Sequence, residues 1–217
     1  MTLTLGAPHH VATTVQILLA LTVLAAAPAI LLLMTSYLRI AVVLSFVQQA
    51  MAVGAALPNA VLSGLALLLT GIVMAPVLHT VYTTAYLPMA AGKIGLSAAI
   101  TVAESPVRTW IEAQVDPKDL LLFEHLRHLS PMSPKTVPFF VLVPSFVVSE
   151  LTEAFRIAVM IYIPFVVVDL AVQSILLSAG MLMLPPTLIS TPIKVLLFLV
   201  AGGWPLLIGS LVRGFRP

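Results

Sequence analysis

Two lone charges in the last third of the chain are the residues most able to do chemistry. Asp169 and Lys194 each sit in a run that is otherwise almost entirely apolar. An ionised side chain in hydrocarbon costs about 2.5–3.5 kcal/mol on insertion scales, so a charge kept there has a task. The midpoint between the two falls between Met181 and Leu182, beside Gly180 and just before Pro185 and Pro186. If the chain turns back at that point, residues equidistant from the turn lie at similar depth and the carboxylate can meet the ammonium. Three readings are open from the residues alone: a structural ion pair, a proton relay through Asp169, or two charges in water-filled gaps.

Glu150, Glu153 and Arg156 recur at three-residue spacing, which places them near one helix face. Glu153 and Arg156 are spaced to pair within the helix, leaving Glu150 for another subunit; the alternative is a segment in the interfacial layer with its charges solvated. Between Asp169 and Lys194 lies the run Gly180-Met181-Leu182-Met183-Leu184-Pro185-Pro186. Methionine is unbranched and polarisable and closes irregular gaps, so methionines at a hairpin tip suit a deformable seal lining a pore. They are equally at home in an ordinary membrane helix. His125 and His128 follow Glu124 at helical spacing without a third ligand, and His9-His10 is a weak signal. The sequence has no HExxH, P-loop, GxSxG or dinucleotide-type glycine cluster. These residues point away from an enzyme, and no cofactor is implied.

Composition sets the elements that must position them. The 217 residues are 60% hydrophobic and 8% charged, against about 25% charged in a soluble domain, so the chain is an integral membrane protein. The absence of cysteine excludes disulfide staples, thiolate metal sites and cysteine nucleophiles. A net charge of +2, scattered along the chain, gives no footing for nucleic acid. Positions 1–38 and 40–92 carry no Asp, Glu, Lys or Arg, whereas ten of the eighteen charges fall between Lys93 and Lys135. The expected organisation is an N-terminal apolar hairpin over 1–81, a polar helical insert over 82–136 and a C-terminal apolar hairpin over 137–217.

The predicted fold is all-α, with four apolar segments in membrane-type hairpins around a small polar helical insert. The first segment, about 15–34 and kinked at Pro28, reaches the roughly 20 residues that a hydrocarbon core requires. It lacks a basic leader and is too long for a signal core, so it is expected to be retained. A second apolar helix follows Arg39. The next span, about 58–78, starts at Pro58, has a smooth side at Ala60, Gly64 and Gly71, and is ended or kinked by Pro76. In the insert, Asp116-Pro117 starts a helix over 118–129, and 130–134 is a loop. The last block divides into helices at about 145–180 and 187–212, with interruptions at 150–156 and 180–186. Arg39 after the first span favours an outside N-terminus, yet four spans would then put Arg213 and Arg216 outside, against the positive-inside rule. A conventional four-span bundle fits poorly.

Seven segments in order carry a resemblance: Pro28-Ala-Ile-Leu-Leu-Leu-Met-Thr-Ser-Tyr-Leu-Arg-Ile, Pro58-Asn59 followed by Gly64-Leu-Ala-Leu, Met74-Ala-Pro, Ser149-Glu-Leu-Thr-Glu-Ala-Phe, Ile163-Pro-Phe-Val-Val-Val-Asp-Leu, Gly180-Met-Leu-Met-Leu-Pro-Pro and Gly203-Trp-Pro-Leu-Leu-Ile-Gly-Ser-Leu. Together they resemble the FliP/SctR family of type III secretion export-gate subunits over about residues 28–212. Leu184-Pro-Pro and Gly-Ser-Leu look flagellar, Phe155-Arg-Ile and Ile161-Tyr-Ile-Pro-Phe look like the virulence branch, and the flagellar branch is slightly favoured.

The resemblance implies a non-enzymatic channel component that assembles in several copies with FliQ-like and FliR-like subunits and an associated FlhB-like subunit. The assembly would be a helical cone in the basal body of a flagellum or injectisome, at the bacterial inner membrane and in contact with its lipid. Lifting of the hairpins out of the bilayer plane would explain the orientation conflict. The expected function is passage of unfolded export substrates; the runner-up is a proton- or solute-conducting transporter subunit using Asp169. The family's methionine gasket maps onto Met181, Leu182 and Met183, its acidic residue onto Asp169 and its basic residue onto Lys194. Departures are Leu182 at the middle gasket position, Gly202 in place of the Asp that usually precedes Gly-Trp, the absence of an apparent cleaved signal, and an insert that matches loosely through Ala85-Tyr86 and Asp119-Leu-Leu-Leu-Phe.

Overall fold

The computed structural model describes residues 32–54, 56–181 and 183–216, together with positions 18, 21, 22, 25, 28 and 29. The expected first span therefore lies largely outside the described residues, as do His9, His10 and Leu182. Among the described residues, all regular structure is helical. The elements are α1 (Tyr37–Ala50), α2 (Asn59–Val81), a π-helical turn (Tyr82–Tyr86), α3 (Leu87–Ala90), α4 (Leu96–Gln114), α5 (Pro117–Leu126), α6 (Phe139–Ser178), α7 (Thr187–Val200) and α8 (Gly203–Arg213).

Helix α2 starts directly after Pro58, whose extended backbone sets the entry. Of the end or kink expected at Pro76, the end does not occur: the helix runs on through the π-helical turn and α3 to Ala90. Proline removes one backbone bond, whereas stopping the helix in apolar surroundings would strand several N–H and C=O groups. The Thr80 hydroxyl donates to the Pro76 carbonyl at 2.9 Å. The widened turn directly precedes Pro88, whose missing N–H leaves the Thr84 carbonyl without its α-helical partner.

Helix α6 is 40 residues long and contains Pro144 and Pro164. At 1.5 Å per residue it extends about 60 Å, twice the roughly 30 Å hydrocarbon core. The expected interruption at 150–156 is not there. Its charges do not force a break because each has found a partner, as described below. The helix stops in a Schellman motif: Gly180 takes φ +73°, its N–H donates to the Leu177 carbonyl at 3.1 Å, and the Met181 N–H donates to the Leu176 carbonyl at 3.0 Å.

The single helix expected over 187–212 is two, α7 and α8, meeting at 65°. Gly202 supplies the left-handed backbone of the bend, with φ +64°. Gly203 lets the chain pass the Phe198 ring, which any added Cβ would overlap. Trp204 then meets Phe198 edge to face at 5.3 Å.

The core is centred on α1. Ile40, Val43, Leu44 and Val47 are buried against Leu62, Ala66 and Leu69 of α2 and against Leu142 and Phe146 of α6. Trp110 and Ile111 of α4 and Leu120 of α5 extend this core toward the start of α6. By length and composition, the 32 residues from Asn59 to Ala90 and α6 could each cross a membrane, and α7 with α8 forms a third crossing if the bent pair is one span. Only 28% and 17% of the two long apolar windows are buried within the chain. Their remaining surface has to be covered by lipid or by other protein.

Inside the core, Arg39 of α1 grips Glu150 of α6. Its Nε donates to Oε2 at 2.8 Å and its Nη2 to Oε1 at 2.5 Å. The two residues are 4% and 0% exposed. This is the fork-to-fork geometry in which guanidinium and carboxylate match best. Glu150, expected to serve another subunit or its own helix, is thus enclosed and fully engaged within the chain. Replacing either partner alone, as in Arg39→Met or Glu150→Leu, is expected to destabilise by about 3–5 kcal/mol, because the remaining charge is buried without compensation. The double variant Arg39→Met/Glu150→Leu should be closer to wild type than either single one. Thermal unfolding in mild detergent measures this; single variants that melt with the wild type would refute it.

Candidate functional site

The candidate site is the hairpin of α6 and α7. Gly180 ends the first leg, and Pro186 stands immediately before the second. The two legs return on each other closely enough for Lys194 Nζ to donate to Asp169 Oδ2 at 2.6 Å. The pair is asymmetric: the lysine side chain is 4% exposed and the aspartate 39%. The ammonium is therefore enclosed between the helices while its carboxylate opens outward. One turn farther from the tip on each leg, Phe165 and Phe198 face each other with ring centroids 6.3 Å apart. Ser190, one turn before Lys194, is fully buried, and its hydroxyl has no hydrogen-bond partner among the described residues.

At the tip, Met181 is half-exposed and Met183 is 98% exposed, with Leu184 also exposed. The backbone here is not slack. The Met181 N–H is held by the Schellman bond, and Pro185 and Pro186 stiffen the other side. Flexible thioether side chains are thus carried on an anchored backbone, an arrangement able to adapt to a surface without moving the helices. Among the described residues there is no group of three or more His, Asp or Glu able to hold a metal ion.

The second polar level lies at the other end of α6. Glu153 and Arg156 approach to 3.8 Å with side chains 41% and 69% exposed, a solvated contact of little energetic weight. They line a polar crevice of about 250 Å³ together with Arg39, Asp119 and Ser149. Ser149 is the joint between α6 and the insert: its hydroxyl accepts from the Asp116 N–H at 2.9 Å and donates to Asp119 Oδ2 at 2.6 Å. Asp116 also caps α5, accepting from the Lys118 N–H at 2.9 Å. Of the residues singled out by sequence, the structure brings Asp169 to Lys194 and Glu153 to Arg156, and it pairs Glu150 with Arg39. Arg39 was missed as a site residue, although its isolation between two uncharged runs marked it by the same logic as Asp169. Ser149 had only its place beside Glu150 as a signal.

Comparison with known proteins agrees along nearly the whole chain. Residues 20–211 match the model of the FliP family. The chain is 45% identical to the flagellar biosynthetic protein FliP of Bacillus subtilis (strain 168) over 209 residues, 96% of this chain and 95% of that protein. It is 46% identical to the protein of that name from Pectobacterium carotovorum subsp. carotovorum over 202 residues, 93% of this chain and 78% of the other. The corresponding protein of Treponema pallidum (strain Nichols) is 42% identical over 210 residues, with 95% and 78% covered. The matched region takes in Arg39, Glu150, Asp169, Lys194 and the methionine tip. The chain belongs to the FliP family.

Proposed function

We propose that this protein is a core pore-forming subunit of a flagellar-type export gate, passing unfolded protein substrates across the bacterial inner membrane. Family membership and the names of its relatives support flagellar protein export rather than a virulence system. The observation that carries the gate reading is the hairpin tip. An almost fully exposed Met183 beside Met181, on a backbone fixed by the helix stop, is poorly suited to an isolated molecule in water. It is well suited to meeting the same side chains from neighbouring copies.

In the gate, several copies assemble with FliQ-like and FliR-like subunits, and an FlhB-like subunit joins them in the basal body. The exposed apolar faces of α2 and α6 pack on these neighbours and on inner-membrane lipid. The hairpins of 1–81 and 137–217 form the wall, and the insert of 82–136 is the polar part, joined to α6 through Ser149. Met181, Leu182 and Met183 of each copy together form a gasket. An apolar constriction of this kind excludes ions by shedding water. Its side chains move by rotamer changes alone, so a passing chain displaces them without breaking any strong bond. The protein contributes no covalent chemistry, and the driving energy comes from other subunits.

Asp169 and Lys194 hold the two legs of the hairpin in register, so the tip lies at a fixed height. The contact between them supports this role over that of a carrier carboxylate, which has to exchange its proton freely. Two outcomes are expected. The double change Met181→Ala/Met183→Ala in the assembled gate should raise ion leak, read as membrane conductance or loss of membrane potential in cells; unchanged impermeability would rule out the gasket. Asp169→Lys and Lys194→Asp should each abolish export, and the combined swap should restore part of it. A swap no better than the single changes would argue against direct pairing, and an Asp169→Asn variant that assembles normally yet exports nothing would favour the transporter alternative.

A further inference from the structure

Beyond α8 the chain does not trail away. Three successive residues, 214 to 216, are tied to Arg39, Trp110 and Gln114. The Gly214 carbonyl accepts from Arg39 Nη1 at 3.1 Å, the third arm of the guanidinium that grips Glu150. The Phe215 ring lies beneath the same guanidinium, 4.1 Å from its carbon, and meets Trp110 of α4 at 5.7 Å between centroids. Gln114, the last residue of α4, reads the backbone of Arg216 in both directions: Nε2 donates to its carbonyl at 2.8 Å and Oε1 accepts from its N–H at 3.2 Å. Phe215, Trp110 and Gln114 are all less than a tenth exposed.

The partners are far apart in sequence, 175 positions between Arg39 and Gly214 and 102 between Gln114 and Arg216. One of them belongs to the apolar core and the other two to the polar insert. Val212, Phe215 and Arg216 also wall one side of the open groove between α2 and α4, opposite Ile72 and Pro76.

We propose that residues 214–216 are a strap that locks the polar insert onto the α1–α6 pair, and that its release frees the insert to move relative to the hairpins. The strap is built mainly from backbone and aromatic contacts that use the side chains of Arg39, Gln114 and Phe215; the Arg216 side chain adds one exposed bond, from Nη1 to the Ala113 carbonyl at 3.3 Å. Its closure is linked to the core through the shared guanidinium, because Arg39 positioned by Glu150 is what presents Nη1 to Gly214. This role stands independently of the gate reading, since it concerns contacts within one chain.

Amide hydrogen exchange on the full-length chain in mild detergent tests it. Gln114→Ala removes both bonds to the Arg216 backbone, and Phe215→Ala removes the ring between Arg39 and Trp110. Each is expected to speed exchange on the order of tenfold across residues 110–126, the end of α4 and all of α5, as well as in the tail. Arg216→Ala keeps the buried backbone pairing and removes only the exposed bond to the Ala113 carbonyl, and it is expected to leave 110–126 within about twofold of the wild-type rate. Acceleration confined to 211–216 in the first two variants would overturn the strap. So would equal acceleration in α6, since the tail would then be one more part of a single cooperative unit, and so would an Arg216→Ala effect as large as that of Gln114→Ala.

Discussion

The bidentate contact between Arg39 and Glu150 is the constraint on which the rest of the described structure depends. In a chain that is 60% hydrophobic, most contacts between helices are dispersion contacts. These reward proximity but discriminate weakly between one register and the next. A guanidinium fork matched to a carboxylate has one geometry, and in a dry core any slip leaves two ions unpaired. Because the fork joins α1 to α6, it fixes the axial position of the central helix on the longest one. Its third arm carries that position on to Gly214, and Phe215 and Gln114 carry it to the insert. The tail, the insert and the core are thus referenced to one side chain.

Helix α6 is clamped at two levels, Glu150 and Asp169, and the stretch from 157 to 168 between them carries no charge. From Glu150 to Asp169 the rise is about 28 Å, and the two levels are held differently. The lower clamp is enclosed on both sides and ties elements distant in sequence. The upper clamp buries its lysine but leaves the aspartate partly open, and it ties two legs that a short turn already brings together. Losing the first is a problem of folding, whereas losing the second shifts the tip relative to a helix that otherwise stays in place. A continuous helix between the two clamps relates a contact in the core to the height of the hairpin end through a single element.

These differences explain what could be read from the residues. The helix stop at Gly180, the cap at Asp116-Pro117 and the loop after Ser130 are local signals, each written in residues that touch one another. Asp169 and Lys194 could be matched because a turn lies midway between them. Arg39 and Glu150 are 111 positions apart with four helices between, and no symmetry relates them. Without that partner, the charges at 150–156 read as a place where an apolar helix should break. With it, Glu150 costs the helix little and the remaining two charges face outward. At Pro76 the sequence left an end or a kink open, because the local penalty was visible and the larger penalty of ending a helix in apolar surroundings was not. The 65° bend after α7 rests on Gly202 and on the passage of Gly203 beside Phe198, and two glycines in an apolar run carry no mark that separates a bend from close helix packing.

The placement of charge also bears on the proposed seal. No Asp, Glu, Lys or Arg occurs from residue 170 to residue 193, so the whole tip is free of fixed charge. The stretch of α6 from Asp169 to its end at Ser178 alone rises about 14 Å, more than the roughly 8 Å over which exposed charges act in physiological salt. A carboxylate or ammonium at the tip would hold water and counter-ions in any constriction formed there, and an apolar ring would no longer exclude them. Yet the tip cannot be positioned by apolar contacts alone, for the reason that makes Arg39 necessary in the core. Setting the fastening pair back along the legs meets both demands. The ion pair stays where two helices can enclose the ammonium, and only side chains with nothing to solvate reach the end. Leu182 at the middle position keeps that condition, since it exchanges a polarisable apolar group for another apolar one and brings no charge.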